Sequence, residues 1–264
     1  MIRPRKRFGQ HFLHDSQVIA NIINAINPQP GEPILEIGPG LGAITGELLK
    51  RAQRLEVIEI DRDVIPVLRE RMQGRGELII HEADALNVDL TRLAAGRRLR
   101  ICGNLPYNIS TPLLFHLLEA APSIADMHFM LQKEVVDRMA AHANDDAYGR
   151  LSVMIAVIAE VESLFDVGPE SFTPAPRVQS SVVRLRPRAK LPFAIPDRAR
   201  FARVVSAAFG QRRKTLRNSL KGQVDNAGFI SADIDPIRRA ETLSPEEFGR
   251  LALTPPPRTE QTEP

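Results

Sequence analysis

The stretch Gly103-Asn104-Leu105-Pro106-Tyr107-Asn108 holds residue types suited to work on a flat heterocycle. Asn104 offers an amide oxygen. Leu105 is held extended by the proline after it, so its carbonyl can point outward. Two such acceptors side by side could grip both hydrogens of an exocyclic amino group. Tyr107 supplies a face on which a base could stack. A plain Asn-Pro turn over a buried tyrosine would use the same residues, so the reading depends on what surrounds them.

A second constellation lies upstream. Gly38-Pro39-Gly40-Leu41-Gly42 follows the apolar run Pro33-Ile34-Leu35-Glu36-Ile37 and precedes a helical pattern. Gly38 and Gly40 permit the close backbone approach that a nucleotide-like ligand needs. Glu59 stands near the end of the next apolar run, Leu55 to Ile60, where an acid can accept both hydroxyls of a ribose. Asp84, after the run Glu77 to His81, could meet an adenine amino group. The glycines also fit the dinucleotide pattern Gly-x-Gly-x-x-Gly/Ala, so an NAD-dependent oxidoreductase is a rival reading. Asn104 to Tyr107 discriminates, since a dehydrogenase has no use for it.

The single cysteine, Cys102, sits in an apolar run and reads as a buried filler. It excludes a disulfide framework, and the six histidines include no close pair at ligand spacing, so no structural metal is expected. His128 and Gln132 read as polar groups at a strand edge.

Apolar runs near 34–37, 55–60, 77–81, 99–102, 127–132, 161–167 and 180–185 predict strands. Helical spacing from Asp15 to Ile26, after Gly42, over 63–72 and after Thr111 places helices between the early strands. This alternation predicts an α/β fold, a Rossmann-like parallel sheet with helices on both faces. Asn104 then falls at a strand end, where open sheets place their sites. Phe172-Thr173-Pro174-Ala175-Pro176-Arg177-Val178 is a proline-stiffened loop. Phe172 could cover the second face of a base stacked on Tyr107, or serve as a core residue under the loop. Three prolines between Pro187 and Pro196 mark a boundary, and the remainder reads as a small all-helical domain. Its helices include a stripe of Phe201, Val204, Val205 and Ala208, a basic helix over 212–220, and a last helix introduced by Ser244-Pro245-Glu246-Glu247. The expected organisation is thus a basic arm over 1–14, the α/β domain over 15–187, a helical domain over 188–253 and a disordered tail over 254–264.

The 264 residues are 43% hydrophobic and 25% charged, as in an ordinary globular protein. The net charge of +3 hides an asymmetry: residues 1–14 carry +4 and residues 184–221 carry +11, leaving the remaining chain at −12. Arg5, Lys6 and Arg7 in the first segment, and Arg212, Arg213, Lys214 and Arg217 in the second, suggest a polyanion footprint. No run approaches the roughly 18 apolar residues of a membrane span. No apolar signal core follows the basic N-terminus, so the cytoplasm is expected.

Five motifs in order resemble a known family. Glu36 to Gly42 looks like the first motif of class I S-adenosylmethionine-dependent methyltransferases, and Gly103 to Tyr107 resembles their amino-methylating motif. Arg7-Phe8-Gly9-Gln10-His11-Phe12-Leu13, Phe172 to Val178 and Phe209-Gly210-Gln211-Arg212-Arg213-Lys214-Thr215-Leu216 narrow the resemblance to the ribosomal small-subunit RNA adenine N6,N6-dimethyltransferases. The resemblance implies S-adenosylmethionine as cofactor and two adjacent adenosines, in a hairpin near the 3′ end of small-subunit rRNA, as substrate. It also implies a role in late subunit biogenesis. By the same resemblance His11, Leu13, Gly38, Glu59, Asp84 and Asn104 bind the cofactor, although His11 stands where many relatives have Asn. Asn104, Leu105, Pro106, Tyr107 and Phe172 would form the catalytic surface. Apart from the resemblance, a monomer is expected. Alternatives within reach are another adenine-N6 methyltransferase, on large-subunit rRNA or DNA, and a non-catalytic assembly factor on the same fold.

Overall fold

The computed structural model describes residues 11–106, 109–211 and 213–257. The candidate residues Arg5, Lys6, Arg7, Tyr107 and Arg212 lie outside them. In chain order the elements begin with β1 (Phe12–Leu13), α1 (Ser16–Ile26), β2 (Ile34–Ile37), α2 (Thr45–Ala52), β3 (Arg54–Glu59), α3 (Val64–Met72) and β4 (Glu77–Glu82). There follow α4 (Leu90–Ala94), β5 (Leu99–Asn104), α5 (Ser110–Glu119), β6 (Ile124–Gln132), α6 (Lys133–Ala140), α7 (Arg150–Ile158), β7 (Ala159–Val167), β8 (Phe172–Thr173) and β9 (Ser180–Pro187). The chain ends with α8 (Arg198–Phe209), α9 (Leu216–Ser219), α10 (Asn226–Ser231) and α11 (Pro245–Leu253).

Contacts divide the chain into two units, Met1–Val136 with Ala159–Pro187, and Asp137–Ile158 with Arg188–Pro264. The first unit holds a seven-stranded sheet in the order β4-β3-β2-β5-β6-β9-β7. Strands β2 to β6 pair in parallel, while β9 is antiparallel to both β6 and β7. Residues on both faces are buried: Ile34 and Cys102 join one apolar cluster, and their neighbours Leu35 and Ile101 are covered too. Burial on both faces is why these strands read as unbroken apolar runs. α1 opens where the Asp15 carboxylate accepts from the Gln17 and Val18 backbone N–H groups at 2.9 and 3.1 Å. The strand order reverses beside β2, so the loops after β2 and β5 diverge and leave a crevice between them. The expected α/β Rossmann-like sheet is thus present, with an antiparallel edge.

Phe12 and Leu13, which have no readable periodicity, form β1 by pairing antiparallel with Thr173 and Phe172 of β8. Such a strand exists only through its partner.

The second unit is helical. Phe201, Val204, Val205 and Ala208 form the expected buried stripe on α8, packed with Phe248 and Leu251 of α11. Tyr148, Val153 and Val157 belong to the same cluster, so residues 137–158 group with this unit and not with the sheet, unlike the expected span of 15–187. The Tyr148 hydroxyl donates to the Leu243 carbonyl at 2.8 Å, which ties the segment in. Ser244 and Glu247 form a reciprocal capping box at the start of α11. The basic stretch is not one helix. Residues 213–215 lie in a turn, and only Leu216–Ser219 is helical, anchored by buried Leu216 and Leu220. Thr254, expected in the tail, is buried and donates to the Leu251 carbonyl at 2.7 Å. The tail from 258 onward lies outside the described residues.

Among the described residues no helix is long and apolar enough to cross a membrane.

Candidate active site

At the crevice where the strand order reverses lies a cavity of about 300 Å³, within the range of small-ligand sites. His11, Leu13, Gly38, Gly40, Glu59, Asp84, Asn104, Leu105 and Pro106 all line it. These residues are drawn from the arm, the turn after β2, the ends of β3 and β4, and the end of β5. The parallel register brings those strand ends to one edge of the sheet.

The turn after β2 is built on left-handed backbone. Gly40 has φ +55°, and a Cβ there would meet the Phe12 ring at 3.4 Å. The Gly40 N–H donates to Glu59 Oε2 at 3.2 Å, and the Asp61 N–H donates to Oε1 at 2.8 Å. Backbone donors thus fix the carboxylate where it can still accept from a ligand hydroxyl. Glu59 is buried, and burial raises its pKa. The hydrogen bonds from Asp61 and Gly40 work the other way. Asp84 caps a 3-10 turn over Ala85–Asn87 by accepting from the Leu86 N–H at 3.0 Å.

Asn104 ends β5. Its amide nitrogen donates to the His11 carbonyl at 3.2 Å, which leaves Oδ1 as the available acceptor. The Leu105 N–H donates to the Met130 carbonyl at 3.1 Å. Neither Asn104 Oδ1 nor the Leu105 carbonyl accepts a hydrogen bond among the described residues. The His11 ring Nδ1 donates to the Pro174 carbonyl at 2.7 Å, and the His14 N–H to the Ser171 carbonyl at 3.0 Å. His11 is therefore a tie between the arm and the loop after β8, with its carbonyl holding Asn104.

Phe172 departs from its expected role on the cavity. It is 3% exposed, sits across from Leu13 in the β1–β8 pair, and packs in the apolar cluster with Val167 and Val182. In this arrangement its ring has no free face for a base. Arg213, Lys214 and Arg217 of the second unit are exposed, with no acidic partner among the described residues.

Two cavity residues were not singled out by the sequence. Glu36 is 1% exposed and takes one side-chain hydrogen bond, from the Thr45 hydroxyl to Oε2 at 2.7 Å. Burial pushes its carboxyl up to about 8; the Thr45 bond opposes this and the charge of Glu59 adds to it. The signal was a lone acid in an apolar strand just before the glycine turn. His128 is not an edge group: it is 3% exposed and lines the cavity, and its Nε2 has no hydrogen-bond partner among the described residues. Burial pushes it down to about 4, Asp126 pulling the other way. Cys102 is buried as expected, and burial holds its thiol well above the usual range.

These features fit S-adenosylmethionine: a glycine cradle, an acid with free lone pairs for the ribose, and half-exposed Ile60 as an apolar wall. Comparison with known proteins agrees. A family model described as ribosomal RNA adenine dimethylase matches residues 1–254. The ribosomal RNA small subunit methyltransferase A of Methylococcus capsulatus is 56% identical over 253 residues, covering 94% of this chain and 96% of its own. A crystal structure of a dimethyladenosine transferase from Plasmodium falciparum superposes with a TM-score of 0.76 at 25% identity, covering 91% of this chain and 96% of that one. One of the 23S rRNA methyltransferase ErmE gives 0.72 at 27% identity, covering 91% and 98%. The chain belongs to the ribosomal RNA adenine dimethylase family, whose members are S-adenosylmethionine-dependent methyltransferases.

Proposed function

We propose that this enzyme dimethylates N6 of two adjacent adenosines in a hairpin near the 3′ end of small-subunit rRNA, late in assembly of the subunit. It acts in the cytoplasm and as a monomer. The observation that carries the chemistry is the pair of open acceptors, Asn104 Oδ1 and the Leu105 carbonyl, on the wall of a cavity suited to the cofactor. The preference for the small subunit rests on the Methylococcus capsulatus relative, at 56% identity, against 27% for the 23S enzyme.

In this reading Gly38, Gly40, His11 and Leu13 wall the cofactor, Glu59 accepts from its ribose, and Asp84 accepts from its adenine. When bound, S-adenosylmethionine supplies an electrophilic methyl group on a cationic sulfur. The adenine N6 is a poor nucleophile because its lone pair is delocalised into the ring. Asn104 and Leu105 counter this by accepting both N6 hydrogens in the first transfer and the one that remains in the second, which favours a pyramidal nitrogen and aims its lone pair. No strong general base is required, since the proton can leave to solvent after transfer. Positioning supplies most of the acceleration, and good orientation is worth roughly 7–11 kcal/mol. Pro106 keeps Leu105 extended, and Tyr107 offers the stacking face that offsets unstacking of the base by about 1–3 kcal/mol.

Glu59→Gln replaces one carboxyl oxygen with an amide that points a donor at the Gly40 or Asp61 N–H. We expect S-adenosylhomocysteine to bind about ten- to a hundredfold more weakly, as for lost hydrogen bonds to a charged group. Titration calorimetry checks this. Arg213, Lys214 and Arg217 serve as phosphate contacts, together with Arg5, Lys6, Arg7 and Arg212. Reversing the charge at Arg213, Lys214 and Arg217 is expected to lower rRNA affinity and to flatten the slope of log K against log salt by about 2. Unchanged affinity and slope would remove these residues from the interface.

The whole proposal is tested by transfer of labelled methyl from S-adenosylmethionine to undermethylated small subunits. Digestion should yield N6,N6-dimethyladenosine. Equal or greater labelling of large subunits or DNA would overturn the choice of substrate.

A further inference from the structure

Glu36 has no place in the mechanism above, yet it lines the same cavity. Its surroundings can be enumerated. Along the sheet, Glu36 of β2 pairs with Val57 of β3 on one side and with Cys102 of β5 on the other. His128 of β6 is the next residue in that row, paired with Cys102. Glu59 faces it from the end of β3, and Thr45 of α2 gives it a hydroxyl. Arg100 lies lower on β5, but its guanidinium is taken by Glu32 at 2.7 Å and Asp126 at 2.9 Å. The neighbours of the Glu36 carboxyl are thus a neutral thiol, a hydroxyl and another acid, with an imidazole that burial keeps neutral one strand further along. None of them is a cation.

The cofactor, on the reading above, supplies the missing charge. Its ribose end belongs with Glu59 on β3, and its methyl must face Asn104 on β5. β2 lies between β3 and β5 in the sheet. The sulfur joins ribose to methyl, so a cofactor held by these residues would bring its cationic centre near β2, the strand that carries Glu36. A buried carboxyl without a counter-ion keeps its proton, and one beside a fixed cation loses it.

We propose that Glu36 is a charge-sensing residue of the cofactor site: protonated when the site is empty, ionised when the sulfonium binds, and protonated again over the neutral thioether product. The proton goes to solvent on binding and returns from solvent after transfer. Glu36 thereby favours the methyl donor over its product without touching the base. The empty-site protonation agrees with the raised pKa of this carboxyl.

The two ligands differ at the sulfur and share the same amino-acid end, so their comparison isolates the effect. Titration calorimetry of the full-length protein in buffers of different ionisation enthalpy counts protons. S-adenosylmethionine should release roughly one proton more than S-adenosylhomocysteine near pH 7. Between pH 6 and 8 its affinity relative to the homocysteine should rise by about tenfold per pH unit, levelling at the upper end. Glu36→Gln should abolish both the extra proton and the pH dependence of the ratio. If that variant does not fold, Glu59→Gln decides: the extra proton of S-adenosylmethionine should persist in it, and its loss there would assign the proton to Glu59 and overturn the proposal. Equal proton release by both ligands, or a difference that survives in Glu36→Gln, would overturn the proposal while leaving the cavity as the cofactor site. Failure of both ligands to bind the wild-type protein would overturn the cavity assignment and this proposal with it.

Discussion

Asn104→Ala is expected to slow methyl transfer by about a hundredfold to a thousandfold, the range seen when one oriented hydrogen-bonding group is removed from a reacting centre. The variant loses the Oδ1 acceptor, and with it half of the grip on N6. It also loses the bond from the amide nitrogen to the His11 carbonyl at 3.2 Å, which holds the arm over the site. The two losses separate by measurement. Loss of the acceptor lowers the single-turnover rate, whereas loss of the tie weakens binding of S-adenosylhomocysteine. We expect the rate to fall by far more than the affinity. Asn104→Asp keeps an acceptor but puts a carboxylate oxygen against the His11 carbonyl, so it should restore little. An Asn104→Ala enzyme with an undiminished rate would remove this residue from the reaction.

Gly103→Ala carries the largest expected cost in stability. A Cβ at this position would lie 2.3 Å from the Ile37 carbonyl oxygen, 3.2 Å from its carbon and 3.4 Å from its nitrogen. All three are backbone atoms of the neighbouring strand, so no side-chain rotation relieves the clash. Relief requires β2 and β5 to separate where the strand order reverses and the cavity opens. Overpacking commonly costs 1–3 kcal/mol, and a clash with fixed backbone belongs at or above the top of that range, about 3 kcal/mol or more. Denaturant unfolding with and without S-adenosylhomocysteine checks both effects. The midpoint should fall, and the ligand should no longer raise it. A variant with the wild-type midpoint would show that the two strands have slack here.

The features legible in the sequence were those carried by local chemistry. The glycine turn, the acid at Glu59 and the Asn104-Leu105-Pro106 end of β5 each follow an apolar run. Their common position at strand ends was enough to bring them to one edge of a parallel sheet. The arm was not legible in the same way. Phe12 and Leu13 are a strand only because Thr173 and Phe172 pair with them from far along the chain. The same pairing buries Phe172, which chemistry alone left equally suited to core or stacking face. Residues 137–158 carry an ordinary apolar helix pattern, and nothing local says which core it joins; Tyr148, Val153 and Val157 settle that by packing with α8 and α11. Glu36 and His128 were hidden for a further reason. Strands buried on both faces show no alternation, so a polar residue within them gives no sign of which face it occupies. The basic turn at 213–215 was read as helix because its charges resemble a solvated helical face, while the chain there is set by the buried Leu216 and Leu220 that follow.

On the proposed function, the end of β5 holds the amino group that is methylated. A crystal structure with S-adenosylhomocysteine and an adenosine-containing rRNA hairpin tests it most directly. The thioether should lie in the cavity between Glu59 and Asn104. The target N6 should lie within hydrogen-bonding distance, about 3 Å, of both Asn104 Oδ1 and the Leu105 carbonyl. An adenine bound with N6 away from both oxygens would contradict it.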